Sequence, residues 1–577
     1  MNRLDTIRHS GAHIMAQAIK TIWPDAQFAF GPNVDDGFYY DVLLKDGLIK
    51  EEDLIRIEKE MKQIVKKNHS FKNEMVSKLD ALELFKDQEF KQHFLTNQLK
   101  DDDLVSIYSQ GSFTDLCKGP HVDRTGEVRA FKLHKIAGAY WLGDQSNKQL
   151  QRIYGLCFES KDQLAEHIKR LEEAKKRDHR LLSGKLKLFA WTDEGPGLPF
   201  MLPNGKILFD LLVEFNKQKN SERNYVEVAT PAMLDSSLWS KSGHTDYYRE
   251  HIYFSNVEKR EFVIKPMNCP GSLLIYKNER RSFRDLPIRM AEFGQVHRHE
   301  LSGVLHGLFR ARAFTQDDAH IYCDKNDLEA ELVDIIDLTV EVYNIFGFKE
   351  QQIYIATRPD KAIGDEATWD RATEALKSAL KRRNIDFAIK EKEGAFYGPK
   401  IEFNVKDSIG RMWQLGTVQL DFFLPERFGL FFVNKEGENE IPVMIHRAIY
   451  GSLERFIGIL IESYEGAFPP WLAPCQVEII PVTDQLNEYG NQIQKRLADA
   501  GIRAKIDTAA ERMQKKIRNG QMMKIPYMLI IGEEERDSNR ISVRLRTGEQ
   551  IKGILLESFI ETVKKLSSSY SLNIWEG

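Results

Sequence analysis

Residues 161 to 185, KDQLAEHIKRLEEAKKRDHRLLSGK, divide the chain. Leu164, Ile168 and Leu171 recur at helical spacing among charges, the pattern of a solvated helix between domains. A chain of 577 residues exceeds what one hydrophobic core supports, so such a break is required somewhere. Before it, residues 1–160 mix helical stretches with short strands such as GEVRAFKLHKI. After it an alternating region runs to about residue 470, where PPWLAP punctuates the chain. The tail then alternates: VEIIPV, a helix over 485–500, IRAKID, a helix over 511–520, and YMLIIG, a small α/β unit. The expectation is a multidomain α+β protein with boundaries 1–160, a linker helix at 161–183, 184–470 and 471–577.

Composition excludes several classes. Hydrophobic residues at 42% and charged residues at 29% describe a globular protein, and no apolar run is long enough to span a membrane. The N-terminus MNRLDTIRHSGAHIM lacks a signal-peptide core. Five cysteines with no pairing pattern point to a reducing compartment. A net charge of −4 means that any nucleic-acid contact uses local basic patches.

Three constellations carry chemistry. His9 and His13 are four apart and share one face of a helix, and Cys117 and His121 have the same spacing. Together they could hold zinc, or could form a metal-free cleft that handles water and protons. A zinc protease would need glutamate directly after the first histidine, and Ser10 stands there. Next, RMAEFGQVHRHELSGVLHGLFRARAF reads as strand, loop, strand, with Arg298 and Glu300 on one side and Arg310 and Arg312 on the other. So much positive charge at a hairpin base suits a polyphosphate, which arginine grips through its planar fork. Third, GSLERF opens a helix with Arg455 in the first turn, where a cation opposes the dipole and wants an anion or a partner such as Glu454. Cys269, in VIKPMNCPGS, has no second cysteine nearby and by spacing alone is a small buried residue.

Taken in order, the helix and strand of KILFDLLVEFNKQKNSERNYVEVATP, the Arg298/Glu300 hairpin and the Gly-x-x-Glu-Arg helix resemble the motif trio of class II aminoacyl-tRNA synthetases. KPMNCPG, FYGPKIEF, WQLGTVQLDF and HRAIYGSLERF, with HSGAH, TDLCKGPH and IAGAYWLGD, resemble the threonyl-tRNA synthetases over nearly the whole chain.

That resemblance implies a class II antiparallel-sheet catalytic core with flanking helices over 184–470, an N-terminal α/β editing domain and a C-terminal α/β anticodon-binding domain. It implies one zinc ion per subunit, held by Cys269, His320 and His446 and open to the amino and hydroxyl groups of L-threonine. A site that must bind the hydroxyl rejects valine by roughly 10⁴-fold or more. Asp318 matches the residue that grips the substrate ammonium, and Gln316, Lys400 and Gln414 fall in pocket motifs. For ATP, accompanied by Mg2+, Arg298 matches the α-phosphate arginine, Glu300 the adenine reader, Arg455 the γ-phosphate arginine and Arg310 a further phosphate contact. His244 matches a histidine assisting proton transfer from the ribose hydroxyl.

Serine also carries both zinc-binding groups, and its missing methyl is worth only about 1–3 kcal/mol. A second sieve for seryl-tRNA is therefore expected at His9, His13, Cys117 and His121, with Lys91 and Asp115, and without a required metal. Glu535 and Arg544 match anticodon readers, and Arg512, Lys515, Lys516 and Arg518 form a candidate phosphate-contacting face. The expected protein is a cytoplasmic homodimer acting on tRNA(Thr), with no membrane contact. Two departures from the family pattern stand out: the sequence starts directly at the region resembling the editing domain, where a ubiquitin-like domain usually comes first, and Leu301 stands where proline is usual. The alternative, a non-catalytic RNA-binding or regulatory paralogue, would be expected to have lost Arg298, Arg455 or a zinc ligand, and all are present.

Overall fold

The computed structural model describes residues 2–100, 103–144 and 146–576. It divides into two units, one ending at Glu173 and the other beginning at Ala174. The boundary falls inside the charged segment, but that segment is not one helix. It forms Lys161–Arg177 and then His179–Leu186. Between them Asp178 leaves helical geometry (φ −49°, ψ 120°), and its side chain accepts a hydrogen bond from the Arg180 N–H. A capping carboxylate starts a new helix in preference to continuing an old one. The second helix is not solvated either, because His179, Ser183 and Leu186 are buried.

In the first unit, helix Arg3–Ile22 begins with a capping box between Asn2 and Asp5. Ala12, Met15 and Ile19 pack with Phe38, Tyr40, Val42 and Ile153 of a five-stranded sheet. A separate three-stranded sheet ends in Phe113–Leu116, which delivers Asp115 and runs into Cys117.

The second unit is built on an eight-stranded sheet. Its strands run, edge to edge, Val226–Glu227, Ile288–His297, Ala313–Cys323, Val443–Ala448, Met412–Asp421, Lys400–Lys406, Gln351–Ala356 and Phe387–Lys390. Only the two edge pairs are parallel. The central strand AFTQDDAHIYC shows why the sheet has two characters. Side chains alternate between faces along a strand, so Ala319 and Ile321 enter the core beside Leu332 and Ile336. Phe314, Gln316, Asp318 and His320 share the other face. The tail forms a five-stranded sheet. Ala504–Ile506, Val477–Pro481 and Tyr527–Ile531 are parallel, and Arg540–Leu545 and Gln550–Leu555 follow antiparallel. Its helices are Asn487–Asp499, Met513–Met522, the short Glu533–Ser538 and Leu556–Ser568. The last two strands and the last helix were not anticipated from sequence. No described helix is long and apolar enough to cross a membrane.

Candidate functional site

His320 and His446 lie directly opposite one another on adjacent antiparallel strands. Opposed residues project to the same side, and the two rings meet with centroids 5.0 Å apart at 81°. Cys269 opens helix Cys269–Lys277 beside them. One donor atom from each of the three lies within 4.8 Å of the others, and all three residues are buried. Gly294 permits this approach, since a Cβ there would fall 2.1 Å from Asn268 Oδ1.

Both signs of charge surround the trio: Asp318 and Asp421 lie close, and Arg298 and Arg447 act on the same groups. His446 Nε2 is 3.0 Å from Asp421 Oδ2, an outer carboxylate of the kind that fixes a ligating imidazole. His320 Nε2 is buried without a hydrogen-bond partner among the described residues. Burial, then Asp318 and Asp421, push the Cys269 thiol well above its ordinary pKa. Burial holds His320 well below its own. An orphaned nitrogen, a second imidazole and a thiol, with two carboxylates close by, fit zinc with one coordination position open.

A cavity of about 320 Å³ adjoins the trio, lined by Cys269, His446, Asp318, Gln316, Arg298, Tyr397, Thr417 and Gln419 among others. Asp318 Oδ2 accepts from Asn268 Nδ2 at 3.1 Å, and burial raises its carboxyl pKa. Gln316 Oε1 is buried and unpartnered. Tyr397 Oη donates to Gln419 Oε1 at 2.5 Å, and Gln419 sits opposite His446. Sequence reading missed Tyr397 and Gln419. The signal available was the alternation Thr417, Gln419, Asp421, but the register that sets Gln419 across from His446 is not in it. Lys400 lies opposite Gln419, and a bulge between Glu402 and Asn404 returns Gln414 to the same face. Both stand outside the cavity lining described here, and Lys400 Nζ pairs with Glu402 at 2.7 Å.

Arg298 follows strand Ile288–His297, while Arg310 and Arg312 precede the next strand instead of lying on it. Arg298 Nε donates to the Pro266 carbonyl at 3.2 Å, and its guanidinium lies 5.0 Å from the Phe314 centroid. Glu300 accepts from Arg310 Nε at 3.0 Å, so the expected adenine reader and phosphate contact hold each other. Glu454 is not the partner of Arg455. Its Oε2 accepts from the Thr315 N–H at 2.8 Å and from Ser452 Oγ at 3.2 Å. Arg455 Nε is buried with no hydrogen-bond partner, and burial together with Arg310 lowers its pKa. Two guanidinium groups in each other's field form a receptor for a polyanion. His244 is buried, with Nδ1 2.8 Å from Ser242 Oγ and Nε2 3.8 Å from Cys269 Sγ. Burial, then His446 and Arg298, take its pKa down to about 3.

The first unit gathers the other cluster. Cys117 Sγ is 3.3 Å from both His9 Nε2 and His121 Nε2. His9 Nδ1 donates to the Pro120 carbonyl at 3.2 Å, and His121 Nδ1 is 3.1 Å from Ser10 Oγ. Asp115 is already held, by Lys91 Nζ at 2.7 Å and by the Tyr40 hydroxyl. His13 Nε2 is 3.7 Å from that carboxylate. Burial lowers the pKa of His9, His13 and His121 and raises the Cys117 thiol to about 11. The groups are thus neutral at physiological pH. A cavity of about 600 Å³ is lined by His9, His13, Lys91, Asp115 and Cys117 among others, with His121 behind them. A donor atom from each of His9, His13, Cys117 and His121 also lies within 4.8 Å of the rest.

In the tail, Glu535 accepts from the Gly532 N–H at 2.9 Å and from Ser542 Oγ at 2.8 Å, capping the short helix Glu533–Ser538. Arg544 Nε is buried and unpartnered. Arg512, Lys515 and Arg518 are exposed, but Lys516 is buried and donates to the Asp507 carbonyl at 2.8 Å. Lys516 therefore leaves the candidate phosphate face: it lies on the inward side of its helix.

Three family models match the chain: "tRNA synthetase class II core domain (G, H, P, S and T)" over residues 252–464, "Anticodon binding domain" over 476–566, and "Threonyl and Alanyl tRNA synthetase second additional domain" over 105–154. A threonine–tRNA ligase of Clostridium botulinum (strain Loch Maree / Type A3) is 48% identical over 97% of this chain and 88% of its own length. One of Acetivibrio thermocellus is 47% identical over the same shares. The crystal structure of the RNA binding domain of threonyl-tRNA synthetase from Cryptosporidium parvum Iowa II is 38% identical, with a TM-score of 0.66, covering 69% of this chain and 99% of that one.

Proposed function

The chain belongs to the threonine–tRNA ligases, a family of class II aminoacyl-tRNA synthetases, and on that premise we propose that its two cysteine–histidine clusters divide the work of selecting threonine. The trio Cys269, His320 and His446 holds zinc and accepts threonine. The cluster His9, His13, Cys117 and His121 removes serine from mischarged tRNA. The observation that carries this reading is the direct opposition of His320 and His446 beside a cavity that also presents Asp318.

Zinc, when bound, supplies a Lewis-acid position for the amino and hydroxyl groups of threonine, which valine cannot satisfy. Asp318 holds the substrate ammonium, and the unpartnered Gln316 Oε1 takes a further donor. ATP opens the Glu300–Arg310 pair: Glu300 turns to the adenine amino group and Arg310 to phosphate. Arg298 neutralises charge that grows on the α-phosphate as the threonine carboxylate attacks, and Arg455 holds the far end of the triphosphate. ATP brings Mg2+ with it. Lys400 and Gln414, expected at the threonine pocket, lie further along the same sheet face and outside the lining of the cavity beside the trio. His244, neutral at physiological pH, acts in the proton movement that accompanies transfer to tRNA.

In the first unit the buried, neutral histidines orient a water and take its proton as it attacks the seryl ester, without a required metal. Lys91 neutralises Asp115, so no free carboxylate repels the tRNA. We assign 1–160 to editing, 184–470 to catalysis and 471–577 to the anticodon, where Glu535 and Arg544 read bases and the exposed Arg512, Lys515 and Arg518 meet phosphate. Exposed Phe200 (49%), in a two-stranded sheet, and exposed Val226 (55%), on the edge strand of the eight-stranded sheet, support a homodimer. The unpaired cysteines support a cytoplasmic setting. Pyrophosphate exchange with threonine, serine and valine, with and without zinc, tests the reading. Threonine and serine should be activated, valine should not, and chelation should abolish exchange. Exchange that survives complete zinc removal would overturn it.

A further inference from the structure

His179 is buried and lies outside every motif used above. Its Nδ1 is 2.7 Å from Glu462 Oε1, and its backbone N–H donates to the same oxygen at 3.0 Å. Its Nε2 takes the Leu308 N–H at 3.0 Å. An amide N–H can only donate, so Nε2 carries the lone pair and the Nδ1 proton points to the carboxylate. The backbone is shaped to this ring. Gly307 has φ +52°, and a Cβ there would fall 2.2 Å from His179 Nε2. Phe309 lies over the imidazole at 4.2 Å and against Trp413 at 4.3 Å.

Leu308 and Phe309 belong to the returning arm of the loop between the two hairpin strands. Arg310 is the next residue, and its guanidinium holds Glu300 on the outgoing arm. Glu462 sits on helix Leu453–Ser463, the same helix that carries Arg455 in its first turn. Arg411 anchors the carboxylate from the other side at 2.5 Å. One imidazole thus ties the loop bearing Glu300 and Arg310 to the helix bearing Arg455.

We propose that His179 is a positioning residue for ATP, pinning the hairpin loop to the Arg455 helix so that the adenine and phosphate contacts keep a fixed separation. This rests on the assignment of those residues to ATP. Threonine is bound elsewhere, at the trio and Asp318, and its binding does not depend on the pin.

Two variants separate the bonds. His179→Asn keeps a donor near the position of Nδ1 and removes the acceptor for Leu308. His179→Gln can keep an acceptor near Nε2. In His179→Asn the Leu308–Arg310 amides should exchange with deuterium on the order of tenfold faster, the effect of losing one buried hydrogen bond. KM for ATP in threonine-dependent pyrophosphate exchange should rise by a similar factor, with KM for threonine and zinc content unchanged. His179→Gln should recover most of both effects. Unchanged amide exchange in His179→Asn overturns the pin. Faster exchange with an unchanged ATP KM, or with equal rises in both KM values, overturns its role toward ATP. Absence of any threonine-dependent exchange in the unaltered protein would be a failure of the assignment beneath it, and the amide readout would still decide whether the loop is pinned.

Discussion

Cys269 lies among the carboxylates of Asp318 and Asp421, while Cys117 has one carboxylate near it, Asp115, already bound by Lys91 and Tyr40. Both clusters offer sulfur and imidazole nitrogen within 4.8 Å, so donor geometry alone does not distinguish them. What differs is the number of carboxylates around the donors; an imidazole nitrogen without a hydrogen-bond partner among the described residues occurs in both clusters, His320 Nε2 in one and His13 Nδ1 in the other. The trio has two carboxylates close by, Asp318 and Asp421, which favours a dication. In the other cluster a carbonyl and a serine hydroxyl fix two of the three imidazoles, and the carboxylate near them, Asp115, is paired with Lys91. Such a pocket can hold and deprotonate water without offering a dication net attraction.

The comparison breaks most sharply at Cys269. Cys269→Ala should lose zinc and lower threonine activation by at least about a thousandfold, with the fold intact by circular dichroism. Retention of zinc and normal exchange would end the assignment. Next, changing both His9 and His13 to Ala should slow hydrolysis of pre-formed seryl-tRNA by about 10² or more. Threonyl-tRNA synthesis and zinc content should not change. Loss of a second zinc by metal analysis would make the two clusters alike after all. A smaller effect tests the charge argument itself. Asp421→Asn should weaken zinc retention by roughly 10–100-fold in chelator competition, whereas Asp115→Asn should leave metal content as it was.

The smallest effect concerns protons. Burial lowers the pKa of His9 and His13 from 6.5, so below that pH the unfolded chain binds protons that the folded one does not. Their contribution is complete above pH 6.5 and is lost as pH falls toward the folded pKa values, with a limiting slope of about 1.4 kcal/mol per pH unit for a histidine whose folded pKa lies well below, as at His13. Thermal unfolding between pH 7.5 and 5.5 should show this slope, and the double alanine variant should lose that share of it.

How much of this was legible in the sequence differs between the same two regions. The spacing of His9 with His13, and of Cys117 with His121, announces a cluster because a helix turn and a tight loop bring close residues together. Cys269, His320 and His446 give no such signal, since their meeting depends on which strands pair and in what register. Resemblance supplied those names; residue spacing could not. The alternation of AFTQDDAHIYC was readable as a strand with two faces, but its polar face pointing to a cavity was not. Glu454 shows the opposite limit. It is the natural neighbour for Arg455 along the chain, yet its carboxylate serves Thr315 and Ser452. The charged segment divides into two helices for a local reason: Asp178, one of many charges in that run, caps the second.

The opposition of His320 and His446 has a consequence for how the chain reaches its folded state. A β-sheet zipped one residue out of step can keep most of its backbone bonds, but one strand then presents its side chains to the wrong face. One of the imidazoles would turn toward the layer of Leu332 and Ile336, leaving the thiol with a single companion. Tight retention of zinc is therefore a report on strand alignment. Measured on refolded material, it would count correctly zipped molecules without any substrate.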